Sequence, residues 1–329
     1  MSDWITFGPP DGDLPGTTVY DFRLDLTSPV GKTAVHSQII LACDNNCTYW
    51  VNGEFIGVQS HWDASNSFCG QLSASKNVFV IRAQKKGTPL PNALIIATIQ
   101  INYSDGSFDI FVTNTGWRAN YLTPGSEQVN FDDSTWPHAN IIGAPPWHEP
   151  APPGGPSDVS LDDARWIWTH EVSPGKPNKK TPTGSHVFRT NFTIHGGSKV
   201  SSGAIAIAAD DRYQLYVQGK QVGVTPSNWK AGQRWQFKLD SPASVVFIAV
   251  EAENAGSFAG LIATAALETT LDSCSATIFY PTDENWQYSA KVNPGFEKTD
   301  LDISSWPHVV QEGLYGGAPW HKIPITNAN

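Results

Sequence analysis

The chain has 329 residues, and its 31 Asp and Glu against 21 Lys and Arg give a formal net charge of −10. That balance argues against nucleic acids and anionic membranes as partners, because both need clustered Lys and Arg, and no apolar run approaches the ~18 residues of a membrane span. With 28 Gly, 24 Pro, 13 Trp and one Met, and charged residues at 16%, the composition favours strands and loops.

At the N-terminus, Met1-Ser2-Asp3-Trp4 shows no basic segment followed by an apolar core. A cytoplasmic protein, or one released by an unconventional route, is therefore expected. Short β-branched and aromatic runs bounded by turn residues predict strands over 37–43, 48–51, 77–83, 93–103 and 108–113. Asn52-Gly53 falls between two such runs and reads as a tight hairpin turn. Asp132-Asp133-Ser134 precedes Trp136 and predicts a short capped helix or 3₁₀ turn. The Pro- and Gly-rich stretch 149–157 reads as a semi-extended linker. Beyond it, strands are predicted over 204–209, 213–217, 244–251 and 261–269, with Gln218-Gly219 as a second hairpin turn and Asp302-Ile303-Ser304 before Trp306 as a second capped turn. Strands of this length and spacing argue for a β-sandwich or jelly roll. No helical period recurs between them, which counts against an α/β fold.

The later series repeats the earlier one. Asp44 pairs with Asp210, Gly53 with Gly219, Gly57 with Gly223 and Ala97-Thr98 with Ala263-Thr264, all 166 positions apart. The offset then grows: 169 for Trp117 and Trp286, 170 for Trp136-Pro137-His138 and Trp306-Pro307-His308, and 173 for Pro146-Trp147-His148 and Pro319-Trp320-His321. Such drift is what loop insertions in equivalent units produce, so two domains are expected, 1–149 and 165–329, joined by a linker over 150–164. Trp117, Trp136, Trp286 and Trp306 are expected in the cores. Residues 1–150 carry 7 basic and 14 acidic residues and the remainder 14 and 17, so both halves suit a neutral ligand or a cation.

Cys43, Cys47 and Cys69 lie in the first copy and Cys274 in the second. Ala209 and Tyr213 stand where Cys43 and Cys47 would repeat, so the cysteines are not expected to form a disulfide scaffold. A Cys47–Cys69 or Cys43–Cys47 bridge stays open for an oxidising setting. A zinc site is not expected, because no paired C-x-x-C or nearby His pair accompanies them.

Phe22-Arg23 and Phe188-Arg189, Asp44-Asn45 and Ala209-Asp210-Asp211, Trp50-Val51-Asn52-Gly53 and Tyr216-Val217-Gln218-Gly219, Glu251-Ala252-Glu253-Asn254, Ala259-Gly260-Leu261-Ile262-Ala263, Phe131-Asp132-Asp133-Ser134-Thr135-Trp136 and Pro319-Trp320 together resemble the galactose-binding-like jelly-roll module. That module occurs as the rhamnose-binding domain of α-L-rhamnosidases. The two copies account for almost all of these 329 residues, so a catalytic barrel is not expected, and tandem modules of this kind resemble calcium-dependent, galactose-binding fungal lectins of the oyster-mushroom type. The resemblance implies a non-enzymatic lectin for galactosyl or rhamnosyl glycans with Ca²⁺ as cofactor, multivalent if both copies bind, and open to oligomerisation.

By that resemblance Asp44, Asn45, Asp210 and Asp211 are the candidate calcium and sugar ligands. Ca²⁺ takes six to eight oxygens, which adjacent Asp and Asn side chains, backbone carbonyls and vicinal sugar hydroxyls can supply. Asp211 in place of Asn45 adds charge in the second copy, so the two sites need not be equal. Trp62 and Trp229, beside polar neighbours, are candidates for stacking on a sugar face, and Asn254 for a sugar contact. The first copy has Arg82-Ala83-Gln84 and Lys85-Lys86 where the second has the Glu251–Asn254 motif, which puts its ligand set in doubt. His138, His148, His308 and His321 are read as packing and hydrogen-bonding groups rather than acid–base catalysts. The alternatives are a glycoside hydrolase or lyase, which needs two carboxyl groups flanking the scissile bond, or a protein-interaction module. Glu251 and Glu253, expected on opposite faces of their strand, weigh against the enzyme.

Overall fold

The computed structural model describes residues 2–8, 18–59, 65–85, 93–142, 154–178, 180–225 and 229–328. Among these the fold is all β, with a single three-residue 3₁₀ turn at Pro156–Asp158. The chain divides into two compact units, one of 1–153 with 194–199 and 269–278, the other of 154–193, 200–268 and 279–329.

The first unit holds two sheets. One runs in the order Asn140–Ile141, Ile5–Thr6, Leu94–Tyr103, Ala34–Asp44, Asn66–Gln71, with Phe108–Val112 also paired to Leu94–Tyr103. The other runs Arg118–Tyr121, Val19–Thr27, Lys76–Gln84, Asn46–Val51, Glu54–Gln59. Alternating side chains of these strands face inward, and Tyr20, Phe22, Ile39, Leu41, Phe79, Ile81 and Trp117 are fully buried. The second unit repeats the plan. Its larger sheet runs Val310–Leu314, Arg165–Trp168, Gly260–Leu271, Lys199–Asp210, Gly232–Ala243, Ile325–Asn327, and its smaller one Lys220–Thr225, Arg212–Val217, Val245–Asn254, Gly184–Thr193, Gln287–Ser289. Each unit is thus a β-sandwich.

Both hairpin turns form as predicted. Asn52 (φ 53°) with Gly53 (φ 84°) and Gln218 (φ 49°) with Gly219 (φ 76°) place two successive residues in the left-handed region, the geometry that matches the twist of flanking strands. The first turn residue also ties in the next strand: Asn52 Oδ1 accepts from Val78 N at 2.8 Å, and Gln218 Oε1 from Phe247 N at 3.0 Å. The repeated Phe-Arg is scaffold. Arg23, fully buried, donates to the carbonyls of Ser126, Gln128 and Phe131 and so pins the closing segment of its unit.

Gly57 and Gly223 recur for a steric reason. A Cβ on Gly57 would lie 2.4 Å from Phe68 Cε1, and one on Gly223 2.4 Å from Trp235 Cε2, so in each copy an aromatic ring rests on bare backbone. Gly223→Ala is expected to cost about 1–3 kcal/mol through overpacking. A thermal melt unchanged by this substitution would show that the ring moves aside freely.

Two expectations need correction. The segments before Trp136 and Trp306 are single turns rather than helices: Ser134 N and Ser304 N donate to Asp132 Oδ1 and Asp302 Oδ1, both at 2.9 Å, and the chain then leaves. The Pro that follows each Trp disfavours the helical region for it. The cysteines all pair, as Cys43–Cys47 and Cys69–Cys274, and no Cys47–Cys69 bridge forms. Cys274 sits in the first unit, in a buried cluster with Cys69, Leu271 and Ala276. Of the repeated tryptophans, Trp117, Trp136 and Trp286 are buried and Trp306 is half-buried.

Candidate functional site

In each unit a long strand of the larger sheet passes directly into a strand of the smaller one. Ala34–Asp44 is followed by Asn46–Val51, and Lys199–Asp210 by Arg212–Val217. The crossing points are Asp44-Asn45 and Asp210-Asp211, and both peptide bonds are cis. Each crossing is held alike, with Asn45 N donating to Gln84 O at 3.2 Å and Asp211 N to Glu253 O at 2.7 Å. Gln84 therefore corresponds to Glu253, and Lys85 to Asn254. At the far end the Trp-Pro-His anchors make Ile142 the counterpart of Glu312, since Ile5 faces Ile141 where Ile167 faces Gln311.

In the second copy Asp210 is buried, and its Oδ2 accepts from the Trp320 indole N–H at 2.9 Å. The Trp320 ring stacks on Trp166 at 4.2 Å between centroids. Gly260 makes room for the pair: a Cβ there would lie 2.7 Å from Trp320 and 2.8 Å from Trp166. Glu312 is 1% exposed, and neither of its carboxylate oxygens has a hydrogen-bond partner. Burial pushes its carboxyl up to about 8, with the Asp210 charge adding to the effect. Asp210 is also raised, mainly by burial and further by Asp211, against the lowering effect of the Trp320 hydrogen bond. Asp211 Oδ2 accepts from Ala255 N at 2.7 Å. Isolated buried carboxylates are costly unless paired or coordinated to a cation.

Asn254 is 1% exposed. Its amide donates to the carbonyls of Thr181 and Pro182 at 3.1 and 2.9 Å, and its Oδ1 accepts from Gly256 N at 2.9 Å, so it braces the neighbouring loop. Trp229 is half-buried against the core cluster of its unit, with Lys230 Nζ 5.7 Å from its ring centre. Trp62 lies outside the described residues, as does His148.

Among the described residues the first copy keeps the buried aspartate but differs around it. Asp44 is buried and paired with the equally buried Lys85, Nζ to Oδ2 at 2.6 Å. Ile142 packs on the cluster of Trp4, Ala42, Leu94 and Ile96 where the second copy has Glu312. Asn45 stands in place of Asp211. Glu312 was not singled out in the sequence, and the signal that finds it is its alignment with an isoleucine once the drift in offset is followed.

Glu251 and Glu253 are not on opposite faces, as expected above. Two residues apart on one strand, they share a face, where Glu253 pairs with Arg212 at 3.3 Å and Glu251 accepts from Gln214 at 3.3 Å. Both are engaged in these contacts.

No family profile and no curated protein matches the chain. Among solved structures it is similar to the apo form of the Pleurotus ostreatus lectin, with 30% identity over 98% of this chain and 94% of that one, at a TM-score of 0.45. The chain belongs to this lectin family. The same identity and TM-score hold for the Pleurotus ostreatus lectin in complex with GalNAc, covering 95% of that chain. Similarity to the Streptomyces avermitilis α-L-rhamnosidase is remote, 17% identity over 98% of this chain and 32% of that one at a TM-score of 0.38, and adds nothing to the family assignment.

Proposed function

We propose that this chain is a calcium-dependent lectin, not an enzyme, that binds galactosyl glycans, with rhamnosyl glycans as the second class, at the strand crossing of the second copy. The observation that carries the calcium part is Glu312, whose two oxygens are buried and unpartnered beside the buried Asp210. Hard cations such as Ca²⁺ take oxygen ligands, and Asp210, Asp211 and Glu312 would hold one. Among the described residues no three His, Cys, Asp or Glu side chains already form a metal cage. Backbone carbonyls and sugar hydroxyls would complete the shell, which makes sugar binding and ion binding mutually dependent. The ion would supply positive charge and coordination to those hydroxyls, while Trp320, stacked on Trp166, holds the Asp210 carboxylate in place.

The sugar class rests on family membership, whose Pleurotus ostreatus member is described in complex with GalNAc. Trp229 and Asn254 remain proposed contributors at this crossing, whereas Asp44, Asn45 and Trp62 belong to the first copy and are not assigned to it. The paired cysteines favour an oxidising setting, and hence release from the cell over a cytoplasmic life. A glycan array bearing galactose, GalNAc and rhamnose tests the reading. Binding is expected with Ca²⁺ and is expected to vanish in EDTA. No sugar binding in Ca²⁺ would sink the lectin assignment, and EDTA-resistant binding would sink its calcium dependence.

A further inference from the structure

We infer that in the first copy the Lys85 ammonium occupies, beside Asp44, the place that a calcium ion would take beside Asp210, so that the chain holds one calcium ion and not two. The inference rests on the calcium reading above and concerns how the two copies divide it.

The two crossings match in register, but the second is acidic and the first is neutral. The second has Asp210 in electrostatic reach of both Asp211 and Glu312, with Glu312 buried and both its oxygens unpartnered. Its nearest cationic side chain along the chain, Arg212, is engaged with Glu253 at 3.3 Å. The first retains one of the three carboxylates. Asn45 replaces one and Ile142 the other, and the remaining Asp44 is neutralised by Lys85 at 2.6 Å with both side chains almost fully buried. An apolar Ile142 offers no oxygen to a metal. An ammonium already hydrogen-bonded to the carboxylate repels a divalent ion at contact range and takes the lone pair it would use.

The three changes also act together. Losing Glu312's counterpart alone would leave a weakened metal site, and gaining the lysine alone would leave a buried carboxylate without a partner. With Asn45, Lys85 and Ile142 all present, the first crossing is electrically closed and needs no ion. The second is open by the same count.

The test is a Ca²⁺ titration of the intact, EDTA-stripped chain by calorimetry, read as ions bound per chain. One ion is expected in the parent, none in Asp210→Asn, and still one in Asp44→Asn. Two ions in the parent would overturn the inference while leaving the calcium reading in place. One ion that disappears with Asp44→Asn and survives Asp210→Asn would overturn both the inference and the placement of calcium at the second crossing. No ion at all would overturn the calcium reading and this inference with it. Asp44→Asn leaves Lys85 unpaired and can unfold the unit, so a second variant installs the second copy's residues: Asn45→Asp, Lys85→Asn and Ile142→Glu together. If its circular dichroism matches the parent, its stoichiometry is expected to rise to two. A folded triple variant that stays at one would show that these residues are not what excludes the ion.

Discussion

Replacing Cys69 by Ser is expected to destabilise the protein by about 5 kcal/mol, the chain-entropy value for a cross-link of this span. The Cys69–Cys274 bridge joins residues 205 positions apart, and both sulfurs sit in a buried cluster with Leu271 and Ala276. Its loss frees a very long loop in the unfolded chain and unfastens 269–278 from the rest of the first unit. Cys47→Ser is the internal comparison. Its bridge spans four residues, for which the same relation gives about 2 kcal/mol. Calorimetric melts of the two variants, and of the parent with and without reductant, check the ordering. At about 2–4 °C per kcal/mol for units of this size, Cys69→Ser is expected to lower Tm by roughly 10–20 °C. Equal shifts in the two variants would refute the argument from loop length.

Glu312→Gln is expected to act in opposite directions with and without calcium. In the ion-free protein, burial raises the Glu312 carboxyl to about 8 from an ordinary value near 4.5. The folded state therefore keeps a proton that the unfolded state has released between those two values. That stability is complete below about pH 4.5 and is lost as pH rises to about 8. Since each unit of pKa difference is about 1.4 kcal/mol, the cost of holding this carboxyl in the fold near pH 8 is on the order of a few kcal/mol. Glutamine removes the titrating group. The ion-free variant should melt higher than the parent at pH 8 and similarly at pH 4.5, with a flatter pH profile between. In saturating calcium the order should invert, because the variant has lost an anionic ligand. A parent whose ion-free melt is flat from pH 4.5 to 8 would contradict the burial of an unpartnered carboxyl.

The sequence exposed the scaffold because a strand's period is short and local. Runs such as 77–83 and 213–217 declare themselves, and Asn52-Gly53 names its own turn. The strand holding Phe22-Arg23 gave a family motif but no hint that Arg23 would be buried against three carbonyls, since those acceptors lie more than a hundred residues away. The turns before Trp136 and Trp306 misled because an Asp that caps a helix can equally close one turn. The Cys69–Cys274 pairing is set by folding distance, which spacing does not encode. At the crossings, Asp210-Asp211 was legible as a repeated motif. Glu312 and Lys85 were not, because their meaning comes from what faces Asp210 and Asp44 across the sheet.

The hydrogen bond from Trp320 to Asp210 gives the second crossing an optical reporter of its own. The indole N–H lies 2.9 Å from the carboxylate, and the ring stacks on Trp166. Any change of charge on Asp210 alters the field along the axis that governs indole emission, so an ion or proton arriving there would shift tryptophan fluorescence without an added label.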